Sequence, residues 1–291
     1  MWDRINKFAH SHVVLSVCVL CVIFYVILFA LSFPIANMTT LGGQIVRTLV
    51  WLILSALAVW LMQKMQVFSI KDFSIGYMGK RSFLVFSIIA IVTLGLLFAF
   101  TQLPEYRFIA PNPIDFLIAA TSQLVGVGIY EEVLFRGLML KILLKKMEQP
   151  KRGIINACLI SSAIFGITHI SNIVGVVRYI EQMSVSFVLP IISQVIFTSA
   201  FGLLAVALFL RSGTLWIPIL IHGIGNLAVQ IFVSFTSRDW ILHFIETPIE
   251  MSFPEFVLST LLPTIPFLVV GLLLLRKVKP NENAVEVPKH C

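Results

Sequence analysis

Continuous apolar runs of about 20 residues constrain this chain more than any other feature, because a helix of that length crosses the hydrocarbon core of a bilayer. Several such runs follow one another within the 291 residues. Apolar residues make up 58% of the chain and charged residues only 12%, whereas a soluble domain carries about 25% charged residues. The runs also lack the alternation of a β-barrel strand. The sequence therefore predicts an all-α integral membrane protein.

We expect eight transmembrane helices, which is the simplest count of the apolar runs. With eight crossings, most of the 21 Lys and Arg residues, Lys141 and Lys145 among them, gather on one side, and the positive-inside rule then places both termini in the cytoplasm. The net charge of +7 is explained by these loops, so we predict no nucleic-acid partner. The predicted parts are a cytoplasmic N-terminus (1–12), a multi-pass membrane domain (13–279) and a cytoplasmic tail (280–291). The predicted helices cover 13–33, 48–62, 83–103, 114–144, 154–169, 185–210, 215–235 and 256–275.

Two adjacent glutamates and an arginine lie inside the fourth run, where an ionisable group is costly and marks a candidate functional site. Glu132 and Arg136 are four residues apart and share a helix face, which suits a buried ion pair. Glu131 points about 100° away on the same helix. We expect the pair to be structural and Glu131 to be the carboxylate available for chemistry.

Two histidines and an asparagine are predicted at the same depth as Glu131. Glu131 and His169 are equally far in sequence from Pro150, where the connection between the fourth and fifth helices turns. Phe165 is one turn from His169, and His222 and Asn226 share a face of the seventh helix. Three helices therefore present a carboxylate, two imidazoles and an amide at one level within the bundle.

This set of side chains leaves three interpretations open. A buried Glu with histidines can carry protons or ions in a transporter, and a histidine in a membrane helix is often an interhelical hydrogen bonder, as in a non-catalytic immunity or scaffold protein. A base, two imidazoles and an amide are also the components of a hydrolytic site, with places for a water and an oxyanion. The combination of residue types favours hydrolysis.

Three short motifs resemble those of the CPBP family of intramembrane peptidases, which includes the CAAX prenyl proteases, bacteriocin-processing enzymes and Abi proteins. The segment 131–136 reads EEVLFR and resembles the EExxxR motif, 165–169 (FGITH) resembles FxxxH, and 222–226 (HGIGN) resembles HxxxN. The motifs occur in the family's order, each on a predicted membrane helix. The resemblance covers a motif core of about 121–235.

The resemblance implies a glutamic intramembrane endopeptidase. Glu131 would activate a water held with His169, and His222 and Asn226 would stabilise the oxyanion, while Glu132, Arg136 and Phe165 support the site.

The resemblance implies no cofactor, because the family is described as metal-free and Asn is a poor zinc ligand. A Glu and two His could nevertheless bind Zn²⁺, so zinc stays an alternative. The implied substrate is a peptide or protein reached from the cytoplasmic side, either a prenylated CaaX-type protein or a bacteriocin- or signal-type peptide. Membrane lipids are the other expected partner, and the sequence predicts no oligomeric state.

Overall fold

A computed structural model of the protein describes residues 11–32, 41–74, 113–147, 151–170, 185–235 and 252–278. Within these ranges all regular structure is helical and no strand is present, as predicted. A short 3₁₀ turn, Ile70–Phe73, follows the second helix. The helices are α1 (Val13–Ser32), α2 (Leu41–Lys64), α3 (113–146), α4 (Lys151–Thr168), α5 (Val185–Ser212), α6 (Trp216–Phe235) and α7 (Phe253–Arg276).

Three segments of the described helices are long and apolar enough to cross a membrane by themselves: Val13–Leu31, Gly42–Lys64 and Ile191–Ser212. Two further helices carry shorter apolar segments, Trp216–Leu227 and Thr264–Arg276. These segments identify an integral membrane protein. The count of eight crossings and the cytoplasmic position of both termini stay predictions. The predicted helix 83–103, the tail 280–291 and all but the last two residues of 1–12 lie outside the described residues.

The second helix begins earlier than the sequence indicated, at Leu41 instead of Thr48. The hydroxyl of Thr48 donates to the carbonyl of Gln44, 2.9 Å away, so this polar residue is satisfied inside the helix and does not end it.

The central helix, α3, is continuous but changes its winding along its length. Two stretches, Ser122–Gly128 and Val133–Met139, are wound as π-helix, and the short α-helical segment Ile129–Glu132 between them carries both glutamates. π-Helical turns are rare and frequently occur at functional sites. Every residue from 132 to 143 is buried, so this part of α3 is surrounded by other helices, with α2 packed on both π-helical stretches and α6 on the first.

Two glycines allow α3 and α6 to approach backbone to backbone beside the glutamates. A Cβ atom on Gly128 would lie 3.1 Å from the Ile219 carbonyl oxygen, and one on Gly223 would lie 2.9 Å from Cα of Leu124. Either side chain would push the helices apart. The glycines therefore set the spacing at which His222, next to Gly223, meets the glutamates of α3.

A buried ion pair ties the segment after α2 to the end of α3. Lys141, which the sequence analysis counted with the basic residues of the cytoplasmic side, is fully buried and donates to the Asp72 carboxylate and to the carbonyl of Val67, 3.0 Å away. Burial raises the pKa of the Asp72 carboxyl, and the Lys141 ammonium opposes that shift. The backbone N–H of Leu215 donates to the Asp72 carbonyl at 2.7 Å. The ion pair thus joins α2, α3 and the start of α6.

Candidate active site

Glu132 and Arg136 form a buried ion pair on α3. The guanidinium Nη1 donates to Glu132 Oε1 at 3.0 Å, and the exposed fraction of either side chain is no more than 1%. The other terminal nitrogen, Nη2, donates to the Gly202 carbonyl on α5 at 3.3 Å. The guanidinium also stacks over the Phe165 ring, 4.3 Å from its centroid, an arrangement that stabilises a desolvated cation. The charge of Arg136 is therefore compensated from three directions.

His222 connects the ion pair to the second glutamate. Its Nδ1 lies 2.8 Å from Glu132 Oε1 and its Nε2 lies 3.6 Å from Glu131 Oε2. Since a carboxylate only accepts, His222 Nδ1 carries the hydrogen of the short bond. One oxygen of Glu132 thus accepts from both Arg136 and His222. The sequence analysis anticipated the first of these bonds and not the second.

Glu131 is held much less firmly than Glu132. Its side chain is 15% exposed, against 0% for Glu132. Its Oε2 atom has no hydrogen-bond partner among the described residues, because 3.6 Å to His222 is longer than a hydrogen bond. Glu131 is thus a carboxylate with free acceptor capacity beside a neighbour that one of its oxygens ties to both Arg136 and His222.

The imidazole of His169 is fixed by the backbone of its own helix. Nδ1 lies 2.9 Å from the Phe165 carbonyl oxygen, which can only accept, so Nδ1 donates. In the neutral ring the other nitrogen, Nε2, is then an acceptor. The His169 ring also meets the Phe165 ring edge-on, with the centroids 4.8 Å apart.

Phe165 contacts three of the other candidate residues. Besides Arg136 and His169, it meets His222 edge-on at 5.8 Å. Asn226 is half-buried one turn beyond His222 on α6. Six of the seven residues singled out in the sequence are therefore joined by the described contacts, and Asn226 is placed only by its position one turn from His222 on α6.

Two aromatic residues at the site were missed by the sequence analysis. Phe201 on α5 meets the His222 ring edge-on at 5.1 Å, and Tyr25 on α1 lies within electrostatic range of Glu131. Phe201 is one of 24 phenylalanines, so no sequence signal distinguishes it. Tyr25 could have been noticed, since it carries a hydroxyl in the middle of an otherwise apolar run.

Several buried polar atoms at the site have no partner among the described residues: Glu131 Oε2, Glu132 Oε2, Arg136 Nε and the Tyr130 hydroxyl. Their concentration on one stretch of α3 marks a polar interior, where such groups require water or a ligand. Within the described ranges, no three His, Cys, Asp or Glu side chains are arranged to share one metal ion.

Comparison with known proteins gives one match. Residues 113–228 match the family model described as type II CAAX prenyl endopeptidase Rce1-like, a segment that begins with α3 and contains all seven residues singled out in the sequence. No curated protein and no solved structure matches the chain. The match confirms the resemblance inferred from the three motifs, and with it the prediction of an enzyme of the peptidase class.

Proposed function

We propose that this chain, whose residues 113–228 carry the pattern of the type II CAAX prenyl endopeptidases, is an intramembrane endopeptidase in which Glu131 activates the attacking water. The observation that carries the proposal is the contrast between the two adjacent glutamates. Glu132 is fully buried and accepts from both Arg136 and His222 through its Oε1 atom, whereas Glu131 is 15% exposed and its Oε2 atom accepts no hydrogen bond from the described residues.

In the proposed reaction, a water bound between Glu131 and the Nε2 atom of His169 loses its proton to Glu131 and attacks the scissile carbonyl. A positioned general base of this kind contributes about 10²–10⁴ in rate. The resulting oxyanion is stabilised by the Asn226 amide and by His222, which donates from Nε2 in its imidazolium form because its Nδ1–H is already given to Glu132; one such donor is worth about 10²–10³. Glu131 then returns the proton to the leaving amine.

Each other residue keeps the reacting groups in place. Glu132 orients His222 through the bond to Nδ1, Arg136 balances the charge of Glu132, and Phe165 packs against both imidazoles and the guanidinium. All of these contacts are short and buried, which gives the rigidity that a preorganised site needs.

The proposed substrates are peptides or proteins with a membrane anchor and a flexible tail that enters from the cytoplasmic side. The family description names prenylated CaaX-type proteins, and we keep bacteriocin- or signal-type peptides as the second substrate class. A site enclosed by membrane helices suits either, because an apolar anchor places the peptide bond at the depth of the glutamates.

A cleavage assay in liposomes tests the proposal directly. A prenylated peptide ending in a CaaX sequence and a leader-type peptide are each incubated with wild type and with Glu131→Gln. We expect wild-type cleavage of at least one peptide and a loss of about 10²-fold or more in the variant. Proton-coupled flux into the liposomes, or equal cleavage by both proteins, would refute the proposal.

The topology is tested separately by cysteine labelling in intact cells. Cysteines placed at Lys146 and Arg211 should react only with reagents that reach the cytoplasm, and one placed at Glu105 should react from outside. Labelling of positions 146 and 105 from the same side would refute eight crossings and the proposed cytoplasmic entry.

A further inference from the structure

The imidazole of His222 packs against two aromatic rings that come from two different helices. Phe165 on α4 meets it edge-on with the ring centroids 5.8 Å apart, and Phe201 on α5 meets it edge-on at 5.1 Å. The two phenylalanine rings lie 6.4 Å from each other, so the three rings form one cluster. Edge-to-face arrangements at such distances are favourable beyond the burial of area alone. His222 is thus held by ring packing as well as by hydrogen bonds.

The hydrogen bonds of His222 do not fix the orientation of its ring by themselves. Nδ1 lies 2.8 Å from Glu132 Oε1, whereas Nε2 lies 3.6 Å from Glu131 Oε2, which is longer than a hydrogen bond. The bond at Nδ1 fixes one corner of the ring and leaves the opposite corner to be placed by packing. The position of Nε2, which donates to the oxyanion in the proposed reaction, therefore depends on the rings that contact the imidazole.

The backbone beside Phe201 is anchored, because the next residue lies where α5 contacts two other helices. The Gly202 carbonyl accepts from Arg136 Nη2 at 3.3 Å, which ties α5 to α3. A Cβ atom on Gly202 would lie 3.1 Å from Cδ1 of Phe165 and 3.3 Å from Cα of Ser162, so α4 and α5 approach closely at this point. Phe201 therefore meets His222 from a fixed place on α5.

Helix α7, which lies outside the matched segment 113–228, also packs on Phe201. The Phe267 ring lies 5.9 Å from the Phe201 ring and 5.4 Å from the Phe197 ring. Phe197 precedes Phe201 by one turn of α5, and both are half-buried. In the described part of the chain, the phenylalanine rings that contact His222 are those of Phe165 and Phe201. Phe197 and Phe201 thus share a helix and a neighbour and differ in their contact with His222.

We propose that Phe201 is a positioning residue of the site, which packs against the His222 imidazole so that Nε2 points at the developing oxyanion. The inference rests on the proposed function, through the role given there to His222. A misplacement of a reacting group by about 1 Å can remove much of the rate, so this packing contact acts on turnover and not only on stability. Through Phe267, it also brings α7 into the support of the site.

Substitutions that remove the ring and nearly keep its volume test this role. Phe201→Leu and Phe201→Met should each lower kcat by about two- to ten-fold, the worth of one aromatic pair. KM should stay unchanged, because the oxyanion donor acts only in the transition state. Phe197→Leu is the matched control, since it removes a ring from the same helix and a contact with the same Phe267. It should lower the melting temperature without changing kcat.

A double-mutant cycle shows whether Phe201 acts through His222. In a His222→Ala background, Phe201→Leu should not slow single-turnover cleavage further, because the side chain that it positions is gone. Thermal unfolding in micelles gives a readout that does not depend on cleavage. The loss of melting temperature caused by Phe201→Leu should be smaller in this background than in wild type by about 1–6 °C, the worth of one aromatic pair. The loss caused by Phe197→Leu should be the same in both backgrounds.

The outcomes separate this inference from the proposed function. If wild type cleaves and Glu131→Gln does not, equal kcat in Phe201→Leu and Phe197→Leu, or a further loss in the His222→Ala background, overturns the role of Phe201. If wild type cleaves no peptide, the proposed function fails, and the thermal cycle still decides whether Phe201 holds His222. Losses of melting temperature that simply add for Phe201→Leu and His222→Ala overturn the inference in either case. Phe201→Met replaces Phe201→Leu in every measurement if the leucine variant does not fold.

Discussion

The two adjacent glutamates offer the sharpest test of the site, because the same isosteric change should have opposite consequences at the two positions. Glu132→Gln leaves Arg136 buried without a counter-charge and weakens the bond to His222. Two hydrogen bonds to charged groups contribute about 1.5–3 kcal/mol each, and breaking a buried ion pair costs about 3–5 kcal/mol. Since glutamine still accepts one hydrogen bond, we expect Glu132→Gln to lower the free energy of unfolding by about 3 kcal/mol.

Glu131→Gln removes a carboxylate that is 15% exposed and accepts no short hydrogen bond from the described residues. The expected change in unfolding free energy is below about 1 kcal/mol. At about 2–4 °C per kcal/mol, Glu132→Gln should lower the melting temperature by about 6–12 °C and Glu131→Gln by only a few degrees at most. Turnover should nevertheless fall further in Glu131→Gln, by about 10²-fold or more.

Thermal unfolding in micelles and single-turnover cleavage, measured on the same preparations, decide between the roles. Arg136→Gln serves as the matched variant, and it should reproduce the loss of stability seen in Glu132→Gln. The reasoning is refuted if Glu131→Gln unfolds the protein while Glu132→Gln stays stable and inactive, since the two roles would then be reversed.

Three further predictions concern the surroundings of the site. Gly223→Ala places a Cβ 2.7 Å from Leu124 Cδ2, so it should cost about 1–3 kcal/mol of stability and reduce turnover. Gly225→Ala is the control, because nothing lies within 4 Å of its Cβ, and it should raise the melting temperature slightly. Equal melting temperatures for the two variants would contradict the close approach of the helices. Asp72→Asn should lower the stability of the protein by about 3–5 kcal/mol, because it leaves the buried Lys141 without a counter-charge. Adding Lys141→Met should recover most of that loss. If the losses of the two single variants add in the double variant, the ion pair is refuted. Because the proposed chemistry uses a glutamate-bound water, dialysis against a strong chelator should leave peptide cleavage unchanged, and restoration of lost activity by Zn²⁺ would require a metal mechanism instead.

Much of the site could be predicted from the sequence because its residues are chemically out of place. A charge in an apolar run is conspicuous, and helical spacing alone pairs Glu132 with Arg136. The bond from His222 to Glu132 joins residues on different helices, and spacing within a helix cannot reveal it. Phe201 escaped for a related reason, since aromatic residues are ordinary in such helices and only packing brings this one to His222.

The positions of the helices were also largely predictable from the sequence. Seven of the eight predicted helices fall within the described residues, and their positions agree because each is a run of apolar residues. The change to π-helical winding around the glutamates was not predictable, because hydrophobic periodicity does not distinguish a π-helical turn inside an apolar helix. Burial of Lys141 was missed too, since its partner Asp72 comes from a segment far away in sequence.

The pairing of Glu132 with Arg136 on one helix has a consequence for how the chain enters the bilayer during synthesis. Both members of the pair are present as soon as that helix forms, before the helix that carries His222 has been made. A helix that delivers its own counter-ion enters the lipid with its two charges already paired, at a lower cost than two separate ions. His222 then arrives at a carboxylate already oriented by Arg136, so the order of synthesis is also the order in which the site is assembled.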